Sequence, residues 1–127
     1  PKESARTYVI ENVYQTPNYR PRIGDVINMA PMEQLNDDYE KFELGFYMPM
    51  WSKIIEKGGL KMWGLTRVKS SSDNAYKNLT HFVFQNTTDM EYTFDEFKFI
   101  EQKVHEIGVA SRKMYDMAEM EINFLAN

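Results

Sequence analysis

The chain has 127 residues, a net charge of −4 and no cysteine. That length fits one domain able to bury a core without cross-links. Disulfides, thiolate metal sites and cysteine nucleophiles are excluded; the Lys/Arg stripe of a nucleic-acid binder is absent; and no apolar run reaches the roughly 20 residues of a membrane-spanning helix.

Residues 1–6 are polar and read as a frayed end. Tyr8 to Gln15 is rich in β-formers and closes at Thr16-Pro17. Neither of its faces is cleanly polar, which predicts a central strand. Residues 17–36 carry Pro17, Pro21, Gly24 and Pro31 and read as one long connection. Its apolar residues Ile23, Val26, Ile27 and Met29 would pin it down, as a lid, a dimer arm, a protein-partner surface or a packed Ω-type loop.

Asn36-Asp37-Asp38 offers a cap and early acids for a helix. Tyr39, Phe42, Phe46, Met50 and Ile54 follow at three- and four-residue steps. Pro49 removes one amide inside that helix and crowds the carbonyl of Gly45, which predicts a kink near 45–49. Gly58-Gly59 stops the helix. A hairpin follows, with strands over about Met62–Lys69 and Lys77–Gln85 and a turn at Ser70 to Asn74. Leu79, His81 and Val83 share one face of the second strand, and Thr80, Phe82 and Phe84 the other. Val83 is read as facing a partner subunit.

Thr93-x-x-Glu96 is a capping box for a second helix, whose apolar stripe runs through Phe97, Ile100, Val104, Ile107 and Met114. The tail alternates with period two over 119–125, and a strand is favoured there over continued helix. The order is then β-α-β-β-α-β, an α+β domain with a four-stranded antiparallel sheet and two helices. The 17–36 connection is the one long loop of this single domain.

Chemistry is thinly marked. The only histidines are His81 and His105, too few for a His-rich metal site. No Gly-rich phosphate loop, serine elbow or paired-carboxylate signature appears, no cofactor is implied, and the balance leans away from an enzyme. Arg67 and Arg112 are candidates for an anionic group on a ligand, against the alternative of pairing with Asp or Glu. Tyr8, Trp51, Trp63 and Tyr76 are candidates to line an apolar pocket, against ordinary core packing. Asn12 and His81 complete the candidate ligand-binding set. Aromatics are 14% of the chain and methionines number 9, which fits a core of large side chains or a lined cavity for a small apolar or aromatic ligand.

Three segments carry a resemblance: Tyr47-Met-Pro-Met-Trp51, Lys61-Met-Trp-Gly-Leu-Thr-Arg-Val68 and Asn74-Ala-Tyr-Lys-Asn-Leu79. Together they resemble the dimeric α/β-barrel superfamily, built on a ferredoxin-like fold. Within it they are similar to small, often exported Bacteroidetes proteins of undefined role. Arg112 and the alternating tail resemble that group's closing segment. The chain departs at Trp51, where the group tends to have histidine. The resemblance implies a ferredoxin-like homodimer with a ligand pocket between sheet and helices. An exported mature chain beginning at Pro1 is the matching expectation for location. Heme-degrading members of the superfamily use Asn, Trp and His, and Asn12, Trp63 and His105 are the matching types here. The readings are therefore a small-molecule binder, an accessory subunit of a larger assembly, or a cofactor-free or heme-linked monooxygenase.

Overall fold

The computed structural model describes residues 6–86 and 101–123. The strand predicted at Tyr8–Gln15 is there as β1. β2 is Val26–Gln34. A helical stretch follows in three parts without a break: α1 (Asp38–Phe42), a π turn (Glu43–Tyr47) and α2 (Met48–Glu56). Strands β3 (Trp63–Ser71) and β4 (His81–Asn86) form the predicted hairpin. Helix α3 (Gln102–Ala110) leads into two short strands, β5 (Arg112–Met114) and β6 (Ala118–Glu121). The architecture is α+β, with one antiparallel sheet of six strands in the order β1-β3-β4-β2-β5, and β6 also on β2.

Among the described residues the sheet has six strands where four were expected, and three further expectations are corrected. The long loop of 17–36 contains β2, which lies inside the sheet between β4 and the β5/β6 edge. Strand β1 is at an edge and not central, and its Val9 and Ile10 are exposed. The helical stripe does not run on to Met114, because α3 ends at Ala110 and Met114 lies in β5. The capping box at Thr93–Glu96, with Phe97 and Ile100, lies outside the described residues, as does the end of the 119–125 segment. The described part of that segment does include strand, through Glu121.

Pro31 explains why β2 is hard to see. A proline inside a sheet removes a ladder donor and is normally kept to edges. The Pro31 carbonyl accepts from Tyr115 N–H at 3.0 Å, so it points toward the β5/β6 side. An extended residue directs its N–H and C=O the same way. The missing amide therefore faces the gap between β6, which pairs with Val26–Met29, and β5, which pairs with Met32–Gln34. The one bond that proline cannot donate, toward Tyr115, falls just past the end of β5, and the β4 side of the strand is untouched.

The predicted kink is a π turn. Met48 N–H reaches back five residues to the Glu43 carbonyl. Pro49 has no N–H to bond Gly45, so the ordinary register cannot be kept at that point. Asn36 closes the start of α1, its side-chain oxygen accepting Asp38 N–H at 2.9 Å. The segment before β2 is folded back on itself: Asp25 accepts from Tyr19 O–H at 2.8 Å and from Arg22 N–H at 2.9 Å. No described helix is long and apolar enough to cross a membrane.

The core lies between the sheet and the helices. Tyr39 and Ile54 pack with Ala30, Met32, Leu60, Trp63, Leu65 and Val83. Each of the large side chains contributes roughly 1.5–3 kcal/mol by leaving water. Val83 belongs to this helix-covered face, so it does not face a partner subunit. Its neighbours Phe82 and Phe84 point the other way, with Tyr8 packed edge-on to Phe82 at 5.1 Å.

Candidate functional site

Strand register lays out the floor of the site as parallel rungs. One rung runs Trp63–Gln85–Asn28 across β3, β4 and β2. The next is Leu65–Val83–Ala30, and the third is Arg67–His81–Met32–Met114. Directly opposed residues on neighbouring strands share a face, with Cβ atoms about 4.5–5.5 Å apart. The roof comes from the π turn, α2 and α3, which supply Glu43, Tyr47, Trp51, His105 and Gly108. Between floor and roof is a cavity of about 640 Å³. Val109, Met114 and Met117 are each more than half exposed and form its mouth.

Gly108 sets the roof's spacing. A Cβ at that position would stand 2.7 Å from the Tyr47 hydroxyl and 2.8 Å from the Phe42 ring. Only hydrogen lets α3 approach the π turn this closely. The same crossing buries an ion pair. Arg112 bonds Glu43, and their side chains are only 8% and 3% exposed. The Arg112 Nε donates to the Gly108 carbonyl at 3.1 Å, and its guanidinium lies over the rings of Tyr39 and Tyr47. Burial lowers the Arg112 pKa from its ordinary value, yet a guanidinium starts so high that it stays charged. Burial also raises the Tyr47 and Tyr39 hydroxyls above the usual phenol value.

A second network seals the far end. His81 is 2% exposed and sits against the Tyr39 ring at 4.4 Å. Its Nε2 is 2.6 Å from Glu40 Oε2, and its Nδ1 is 2.8 Å from the Thr80 hydroxyl. Thr80 Oγ1 accepts Gln34 N–H at 2.8 Å, and its own proton has two acceptors in reach, Nδ1 at 2.8 Å and the more distant Met32 carbonyl at 3.5 Å. That geometry satisfies a neutral ring with its proton on Nε2. Burial, the largest influence, lowers the His81 pKa in spite of Glu40. Glu40 in turn is pulled down to about 2, first by its hydrogen bonds from Arg67 and then by His81. With His81 neutral, Arg67 is what holds Glu40 ionised.

The candidates from sequence divide clearly. Trp51, Trp63 and Arg112 come together around the cavity. His81 is buried beside them, at hydrogen-bonding distance from Glu40 and Thr80. Arg67 is ion-paired to Glu40 at 2.6 Å and to Glu11 at 2.9 Å, and does not line the cavity. Tyr8 lies on the opposite face of the sheet, its hydroxyl accepting Tyr76 N–H at 3.0 Å. Tyr76 stacks on Tyr115 there, 6.1 Å between centroids. Asn12 is exposed on edge strand β1 opposite Thr66, which faces away from Trp63. Asn12, Trp63 and His105 therefore do not converge, although His105 does reach the cavity mouth.

Several lining residues went unread in the sequence: Glu43, Tyr47, Asn28 and Gln85. Glu43 carries a usable signal, because it stands four residues after Tyr39 on the apolar stripe and so requires a buried cation. Two buried polar atoms, Trp63 Nε1 and Tyr39 Oη, have no hydrogen-bond partner. Each costs about 1–3 kcal/mol relative to a satisfied group. Among the described residues no group of three His, Asp or Glu side chains is placed to hold a metal ion. No protein-family model matches this chain, and no curated protein or solved structure is significantly similar to it.

Proposed function

We propose that this protein binds a small, largely apolar ligand between its sheet and its helices and does not transform it. The observation that carries this reading is the cavity: about 640 Å³, with Trp51, Trp63, Val83, Met32, Met114 and Met117 on its walls. That size and lining suit a drug-sized molecule. The absence of turnover rests on the two imidazoles: the His81 ring is buried and already hydrogen-bonded at both nitrogens, and His105 is exposed at the mouth, away from the inner wall where the ligand body would lie. A general acid or base must reach the proton it moves.

The same proposal includes a ferredoxin-like homodimer. The units β2, α1–α2, β3, β4, α3 and β5, in spatial order β5-β2-β4-β3, support the ferredoxin-like reading, with β1 added at one edge. Pairing of two sheets is supported by the sheet face that no described helix covers, where Phe82, Phe84, Ile10 and Met120 lie, Ile10 and Met120 substantially exposed. Native mass spectrometry of protein purified without denaturation tests both parts. A dimer carrying added small-molecule mass is expected. A bare monomer that takes up no apolar dye would refute the reading.

A further inference from the structure

The rung that closes one end of the cavity holds two carboxamides. Asn28 and Gln85 are direct cross-strand partners and both line the cavity. Their use inside the protein is poor. Asn28 Nδ2 donates to Met117 Sδ at 3.4 Å, and a thioether is a weak acceptor. The Gln85 side chain makes no hydrogen bond with any described residue. Trp63 stands next on the same rung, and Val83 and Ala30 form the apolar rung beside it.

Charge inside the cavity is already spent. Among the described residues, the one cationic side chain on its inner wall, Arg112, is neutralised by Glu43. The rest of its guanidinium goes to the Gly108 carbonyl and, at 3.4 Å, to the Ser111 hydroxyl. Its faces are covered by Tyr39 and Tyr47. A charged ligand would meet no unspent counterion among the described inner-wall residues, and burying an unpaired charge is costly. A neutral ligand with a donor and an acceptor side by side meets a different wall. Two adjacent carboxamides offer N–H and C=O groups in the arrangement that a cis-amide or lactam edge complements.

Resting on the binding reading above, we infer that the ligand is an uncharged, flat molecule whose amide- or lactam-type edge is read by Asn28 and Gln85 while its apolar body lies along Trp63, Val83 and Trp51. Two hydrogen bonds to a matched edge distinguish such a ligand from a hydrocarbon of the same shape. The hydrocarbon leaves both carboxamides cut off from water without replacement partners, which is the expensive case.

The chain's two tryptophans, Trp51 and Trp63, both line the cavity, so intrinsic fluorescence reads its occupancy directly. The probes are isoquinolin-1-one, the isosteric hydrocarbon naphthalene, and 1-naphthoate as the anionic counterpart. The lactam is expected to bind about tenfold tighter than naphthalene, and 1-naphthoate weakest. In Asn28→Leu and Gln85→Leu the lactam-to-naphthalene ratio is expected to fall toward one. The more conservative Gln85→Met gives the same readout should the leucine variant not fold. Equal affinity for lactam and naphthalene in the wild type overturns the inference alone, since naphthalene still occupies the cavity. So does a lactam preference that survives both substitutions, or a preference for 1-naphthoate. Failure of all three probes to bind overturns the binding reading as well.

Discussion

Removing Glu43 should be one of the most damaging single changes in this protein. Glu43 and Arg112 are both nearly inaccessible to water. Taking away one member of a buried ion pair strands the other charge, at a cost of about 3–5 kcal/mol. In Glu43→Leu, Arg112 keeps the Gly108 carbonyl and its two tyrosine faces, so the lower end, about 3 kcal/mol, is expected. A domain of this size has only about 5–15 kcal/mol in hand, so the loss is easily measured. Replacing both residues, Glu43→Leu with Arg112→Leu, removes the stranded charge. That double variant should lie within about 1 kcal/mol of the wild type, because a buried pair often exchanges for apolar side chains without loss. Urea unfolding at pH 7 of the wild type, both single variants and the double variant supplies the full cycle, with a constant m-value as the check on two-state behaviour. A Glu43→Leu cost below about 1 kcal/mol, or a double variant as unstable as the sum of the singles, would mean that Glu43 does not compensate a buried Arg112 charge.

Gly108→Ala should destabilise by about 1–2 kcal/mol net, since overpacking against Tyr47 and Phe42 outweighs the helix-propensity gain of alanine; a raised melting temperature would contradict the close crossing. Acid should weaken the fold in two stages of the same sign. The buried His81 stays neutral where the unfolded chain takes up a proton, so stability falls below about pH 6.5. Glu40, held down to about 2 by Arg67, contributes fully above its ordinary range and is lost as pH drops toward 2; solvent screening of the partly exposed pair keeps that share to about 1 kcal/mol. Arg67→Met should flatten the second stage in a pH series of urea midpoints, and an unchanged acid limb would count against it. Phe84→Asp should convert the proposed homodimer to monomers by light scattering, whereas Val83→Asp should unfold the chain; folded monomers from Val83→Asp would reverse the assignment of faces.

Local chemistry made part of this legible. Tyr8–Gln15 and the β3–β4 hairpin follow from β-forming side chains flanked by turn residues, and Pro49 marks the π turn through the hydrogen bond it cannot make. Strand β2 was not legible, because Pro31 argues against a central strand unless one knows that its neighbours change from β6 to β5 at that residue. That is tertiary information. The same limit applies to the site. Trp51, Trp63 and Arg112 could be picked out as residue types, but Tyr8, Tyr76 and Asn12 could not be assigned to the far face or the edge without the strand register. Asn28 and Gln85 were invisible because amides in strands are common and only the pairing of β2 with β4 brings them together.

Amide and methyl chemical-shift mapping shows whether a small apolar ligand enters the space between sheet and helices. The titrant is N-phenyl-1-naphthylamine, a neutral apolar probe. Saturable shifts concentrated at Ala30, Val83, Met114, Met117 and the indole of Trp51 are expected. Shifts confined to Phe82, Phe84 and Ile10, on the sheet face that no described helix covers, or none at all, would overturn that binding.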